Sequence, residues 1–238
     1  MGRAYEVRKM SIQKTGAAKA KVYSMYAREI YQAAKIGGTS PDGNLTLRRL
    51  IEKAKEDQVP SDIIKRAIDK VNSGDSESYE ANRYELFGPG GSTLIVDCLT
   101  DNVNRTVSNL RAALNKTNTK MGSMGSVGYM YDNFSVVSFK GLSEEETLEL
   151  LLDKGIDLED LESNELITVY GKTSDLYEIK EAIKEKIPNV SFEVAEITTI
   201  PKDTIKLTGE DLEYFNKLLL LLDDIEDVKN VYHNVELI

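Results

Sequence analysis

The sequence predicts an α+β protein: an N-terminal three-helix domain followed by two α/β lobes, the last a ferredoxin-like insertion in the middle one. Three observations carry that prediction. Apolar residues recur at helical spacing up to about residue 72, strand-like runs replace them after a polar, glycine-containing stretch, and residues 134–200 follow a β-α-β-β-α-β order. The corresponding domains are a basic helical domain at 1–75, a middle domain from 79–133 plus 201–238, and the insertion at 134–200.

The first helix is expected over residues 14–36, where Val22, Tyr26, Ile30 and Ala33 form an apolar stripe and Gly37-Gly38 ends it. Ser40-Pro41-Asp42-Gly43-Asn44 is a turn that also offers capping side chains. Leu47, Leu50, Ile51 and Ala54 give the second helix its buried face. Val59-Pro60-Ser61-Asp62 starts a third, with Ile64, Ala67, Ile68 and Val71 inward and Gly74 past its end.

Residues 73–78 form the linker. Beyond them, 83–87 and 92–100 are strands joined by the tight turn Gly88-Pro89-Gly90-Gly91, 103–116 is helical, and 126–131 returns to strand. In the insertion, 135–139, 156–161, 166–170 and 190–197 are strands. Helices fill 143–152 and 174–186, and Ser143 with Glu146 matches a capping box. A last helix (Leu212, Phe215, Leu218, Leu219, Leu222) and a strand at 228–235 cannot bury their apolar surface alone, so the tail is expected to complete the middle lobe.

Charge is distributed unevenly over this plan. Residues 1–72 hold 15 Lys+Arg against 8 Asp+Glu, a balance of +7; the remainder holds 15 against 32, a balance of −17, recovering the net −10. A basic module on an acidic body attracts polyanions at one end only, and nucleic acid is the polyanion that releases counterions on contact. Within the first helix Lys14, Lys21, Arg28 and Lys35 recur every seven residues. That spacing drifts only ~20° per step, so the four share one side, opposite the apolar stripe, over ~30 Å. Phosphate contact and an ordinary solvated face both fit such a row. Arg48 and Arg49 add cations on the second helix. Arg3, Arg8 and Lys9 with Tyr5 form either a basic arm that orders on a polyanion or a terminus with no role.

The other motifs are weaker. Gly88–Gly91 lacks the Lys-Ser/Thr and following helix of a phosphate loop, and Gly122, Gly125 and Gly128 precede a strand where a dinucleotide fingerprint would follow one. Asp101-Asn102-Val103-Asn104-Arg105-Thr106 opens a helix: Asn102, Asn104 and Arg105 are a candidate functional surface, and a plain strand-to-helix cap fits equally. The run Asp223, Asp224, Glu226 and Asp227 could attract a cation, but a solvated acidic turn is the preferred reading.

Catalysis has little support. The single histidine, His233, is far in sequence from the single cysteine, Cys98, and no Ser-His-Asp set, zinc spacing or calcium loop occurs. No catalytic residue, metal, cofactor or small-molecule substrate is expected. The absence of a secretory signal, an apolar span of ~20 residues or a disulfide pair predicts a cytoplasmic protein with no membrane partner.

The run RYELFGPGGSTLIVDCLTDNVNRT at 83–106, followed by GSVGYMYD at 125–132, resembles the YebC/PmpR family. Ala27-Arg28-Glu29-Ile30, Val59-Pro60 with Ile64 and Ala67-Ile68, and Val231-Tyr232-His233-Asn234 extend the match over almost the whole chain. The ending and Ile30-Tyr31-x-Ala33-Ala34-Lys35 are similar to the YeeN-like branch. The family opens on Gly-x-x-Lys-Trp, whereas Arg3-Ala4-Tyr5 follows Gly2 here and the chain has no tryptophan. The resemblance implies a helical domain with two α/β lobes and a non-enzymatic regulator of gene expression. Its members are DNA-binding transcriptional regulators or translation factors that bind RNA or the ribosome, for translational activation or relief of stalling.

Overall fold

Helical periodicity produces three helices at the start of the computed structural model, which describes residues 16–74 and 78–236. They are α1 (Gly16–Gly37), α2 (Leu45–Glu56) and α3 (Ser61–Asn72). Their shared core is Tyr26, Ile30, Ala33 and Ala34 from α1, Leu47 and Ala54 from α2, and Ile64 and Ala67 from α3. Val22 is not part of it: 42% exposed, it stands outside the stripe expected to bury it. Met25 and Tyr31 are buried instead, at 8% and 2% exposed, so α1 is covered over a wider arc than one stripe requires.

The corner between α1 and α2 rests on Asn44. Its Oδ1 accepts from the Leu47 N–H at 3.1 Å, capping α2, while its Nδ2 donates to the carbonyls of Ala33 and Gly38, both at 2.8 Å. One side chain thereby satisfies the end of one helix and the start of the next. Gly37 makes room for it: a Cβ there would lie 2.6 Å from Asn44 Nδ2.

The chain then forms a first sheet from β1 (Glu80–Phe87), β2 (Thr93–Thr100), β3 (Lys120–Met121) and β8 (Val228–His233), ordered β3-β1-β2-β8. The turn between β1 and β2 needs glycine at Gly90, whose φ is 60° and whose added Cβ would meet Leu207 at 2.6 Å and Asp211 at 2.9 Å. Seven of the eight residues of β2 are buried, as in a central strand covered on both faces. Helices α4 (Val103–Asn115) and α7 (Gly209–Asp223) contribute Leu110, Leu114, Phe215, Leu218 and Leu222 to this core. Each such side chain, fully buried, is worth about 1.5–3 kcal/mol.

The second sheet is antiparallel throughout: β4 (Tyr131–Phe139), β5 (Leu158–Ser163), β6 (Ile167–Gly171) and β7 (Phe192–Pro201), ordered β5-β6-β4-β7. The helix α5 (Glu144–Asp153) carries the chain from β4 past β6 to β5, and α6 (Leu176–Lys186) from β6 past β4 to β7. That is the split β-α-β connection of a ferredoxin-like unit. Ser143 and Glu146 form the reciprocal capping box at the start of α5.

One local expectation is corrected. Residues 126–130 are not strand: a turn of 3₁₀ helix at Gly128–Met130 precedes β4, after a bend in which Gly125 has φ +83° and its N–H is held by the Glu85 carboxylate at 2.7 Å. The two-residue β3, paired through Leu86↔Met121, is too short to show a period. By compactness the molecule divides into two units. One joins α1–α3 to the first sheet with 207–231, and the other holds Val127–Lys206 with 232–236.

Candidate nucleic-acid interface

Among the described residues, the exposed cations of the helical region other than Lys19 gather where α1 turns into α2 and along α2 and α3. Lys35 is exposed in the last turn of α1, its Nζ 5.7 Å from the Tyr31 ring centroid; a cation there also suits the helix dipole. Arg48 and Arg49 are different. They are the fourth and fifth residues of α2, whose first turn holds no acidic residue. Arg48 reaches Asp42 at 3.2 Å with both side chains exposed, a pair worth little to stability. Arg49 is half-buried, and Lys55, Lys65 and Arg66 are exposed on α2 and α3.

The expected outward row is corrected at two positions. Arg28, its side chain 11% exposed, pairs with Asp227 at 3.0 Å and with Glu226, and also donates to the Leu99 carbonyl at 3.1 Å. Lys21 donates to the Asp223 carbonyl at 2.7 Å, with its side chain 22% exposed. The reason is that α1 packs on α2 and α3 on one side and meets the acidic turn between α7 and β8 on another. Heptad spacing put the cations on one side, and the acidic turn covers the middle of that side. Arg3, Arg8, Lys9 and Lys14 lie outside the described residues.

Asp227 organises this region. Its carboxylate is 3% exposed and accepts from Arg28, from Arg105 at 2.9 Å and from the Thr106 hydroxyl at 2.8 Å, while its carbonyl accepts the Leu99 N–H at 2.9 Å. Burial alone would push its carboxyl up; the bonds from Arg105 and Thr106, the Arg105 charge and the bond from Arg28 outweigh burial and hold it below its ordinary 3.8. The acidic turn is therefore partly a buried ion cluster and not simply a solvated one. Sequence reasoning missed Asp227 because its partners are 199 and 122 residues away.

The 102–105 surface is largely structural. Asn102 caps α4, its Oδ1 accepting the Arg105 N–H at 3.0 Å. Arg105 spans Asp227 and, at 2.7 Å, Asp101, and its bonds to them raise its pKa above the ordinary range. Asn104 remains exposed on the first turn. Two reactive side chains are kept neutral by burial: the Cys98 thiol is pushed up to about 12, aided by Asp227 and Asp97, and the His233 imidazole down to about 4. Among the described residues, no group of three or more His, Cys, Asp or Glu could hold a metal ion, and no helix is long and apolar enough to cross a membrane.

Comparison with known proteins decides the family. Residues 3–74 match the TACO1/YebC protein N-terminal domain, and residues 79–235 match the TACO1/YebC second and third domain. The chain belongs to the TACO1/YebC family. Relatives named probable transcriptional regulatory protein include one from Shewanella oneidensis, 47% identical over 100% of this chain and 99% of that one. Another, from Vibrio cholerae, is 48% identical over the whole of both chains. The crystal structure of a conserved hypothetical protein from Aquifex aeolicus superposes with a TM-score of 0.76 at 36% identity, covering 94% of this chain and 92% of that one. This TACO1/YebC member thus has relatives named as probable regulators and shares its fold with the Aquifex aeolicus protein.

Proposed function

We propose that the chain is a non-enzymatic cytoplasmic regulator of gene expression that binds nucleic acid through its basic helical region, as a DNA-binding transcriptional regulator. The observation that carries this reading is the placing of Arg48 and Arg49 near the N-terminus of α2. Exposed Arg48 and half-buried Arg49 bring two guanidiniums to this corner of the helical region, the group that a phosphate backbone would meet. Lys35 stands at the end of the preceding helix, on a region whose balance is +7. The relatives' name supports the same direction, and a lone buried thiol suits a reducing compartment.

A second reading, an RNA- or ribosome-binding translation factor, is favoured by α1 itself. With Lys21 and Arg28 drawn onto the acidic turn, the middle of α1 lacks the outward cation row that would face the phosphates flanking a major groove. Recognition by shape and backbone, as of structured RNA, needs no such row.

The test uses the full chain with Lys35, Arg48 and Arg49 each replaced by Gln, and measures binding to duplex DNA and to hairpin RNA across a salt series. Each phosphate that a variant no longer neutralises should lower the log–log salt slope on duplex DNA by about 0.9. A triple variant with an unchanged slope on both ligands refutes the interface. Tighter binding to duplex DNA supports the first reading, and tighter binding to RNA the second.

A further inference from the structure

Between α1 and α3 lies a cleft of about 350 Å³ that none of the preceding assignments uses. Its apolar lining is Ile63 with two small side chains, Ala27 and Ala67. Tyr31 and Tyr79 also line it, their rings edge-to-face at 85° with centroids 5.8 Å apart. Three cations complete it. Arg28 holds its guanidinium 5.7 Å from the Tyr79 ring centroid, Lys70 its ammonium 5.7 Å from the Tyr31 ring centroid, and Arg66 is 74% exposed and pairs with Asp62 on the surface. Glu226, already engaged by Arg28 and by Ser24, is the one carboxylate in the lining among the described residues.

We propose that this cleft seats one unpaired nucleotide of a single-stranded nucleic acid. The inference rests on the nucleic-acid reading above and deepens it by naming the form of the ligand. The volume sits at the low end for ligand pockets, a size that suits one nucleotide. The chemistry divides along the same line. Tyr79 offers a planar ring of the kind on which an unstacked base lies. Arg66 and Lys70 supply the charge that a phosphate on the adjoining backbone meets. A surface built for duplex backbone alone would need the cations and not the tyrosines. An uncharged aromatic metabolite would need the tyrosines and not the cations.

The experiment compares the full chain with Tyr79→Leu, which keeps apolar bulk and removes the stacking face, and with Arg66→Gln, a surface change that leaves the core untouched. Each is titrated at low salt with labelled RNA and DNA single strands of about twelve nucleotides and with the corresponding duplex. Tyr79→Leu is expected to weaken single-strand binding roughly 5- to 150-fold, the range for loss of one base stack, and to leave the duplex within about twofold. Arg66→Gln should weaken the single strands severalfold and flatten their salt dependence. A larger loss on RNA assigns the seat to RNA; equal losses assign it to single strands of either sugar.

If the single strands and the duplex weaken in parallel, or if neither variant changes single-strand binding, the nucleotide seat is overturned while the basic interface stands. If the unmodified chain binds none of the three ligands, the proposed function fails with it.

Discussion

Replacing Asp227 by Asn should destabilise the unit that contains α1 by about 3 kcal/mol, from the loss of a buried charge pairing. The amide is nearly isosteric, so packing is kept and charge is what changes. Two guanidiniums lie 3.0 and 2.9 Å from the carboxylate. At an effective dielectric of about 20 and these separations, each pairing is worth roughly 5–6 kcal/mol before desolvation is counted. The two are not equal in consequence. Arg105 is 45% exposed and keeps Asp101, so water and that partner recover most of its loss. Arg28 is 11% exposed and keeps Glu226 as its carboxylate partner, itself 67% exposed. It would be left as a poorly compensated charge, and breaking such a pair from one side costs about 3–5 kcal/mol when burial is complete. Partial exposure brings the figure to the lower end. Urea denaturation at neutral pH, followed by tyrosine fluorescence and circular dichroism, measures it. Adding Arg28→Met to Asp227→Asn should restore part of the loss, since the stranded charge is then gone. A single variant within about 0.5 kcal/mol of the parent, or a double variant equal to the sum of the singles, would refute the buried-cluster account.

Two further expectations follow from other sites. Burial holds the His233 imidazole at about 4 against 6.5 for an ordinary one. The unfolded chain therefore takes up a proton near pH 6.5 that the folded chain refuses until about 4, and stability falls across that window by up to about 3 kcal/mol. A His233→Phe variant should flatten the curve of unfolding free energy between about pH 7 and 4; an unchanged slope would show that the imidazole is not the source. Below 3.8 the depressed carboxyl of Asp227 adds its own loss, because the unfolded chain protonates it first. Asn44→Ala removes the cap of α2 and both amide bonds to the end of α1, so it should cost about 2–3 kcal/mol. The same urea titration checks it, and a cost under about 1 kcal/mol would mean water replaces all three bonds.

What was legible in the sequence was local. The three helices, the capping box of Ser143 and Glu146, the glycine turn before β2 and the order of the ferredoxin-like unit all depend on interactions within a few residues or on a simple period. Less was legible where a short element had no period to show, as at β3, or where glycines broke a run that looked like strand, as at 126–130. For the candidate site, Lys35, Arg48 and Arg49 were readable because a cation on a helix surface is recognised from its own position in the helical period. The cleft was not readable, because Tyr31 and Tyr79 are brought edge to face from separate elements.

The chain's own order of residues determined which segments are helix and strand, and that positive charge collects before residue 72 while negative charge collects after it. Tertiary structure alone decided which cations stay exposed. Lys21, Arg28 and Lys35 share one spacing, yet the first two are drawn onto an acidic turn some 200 residues away, and the third stands exposed at the helix end. Periodicity tells which side of a helix a residue occupies; what that side meets depends on elements packed against it, and charge pairing across such distances leaves no pattern in the linear chain.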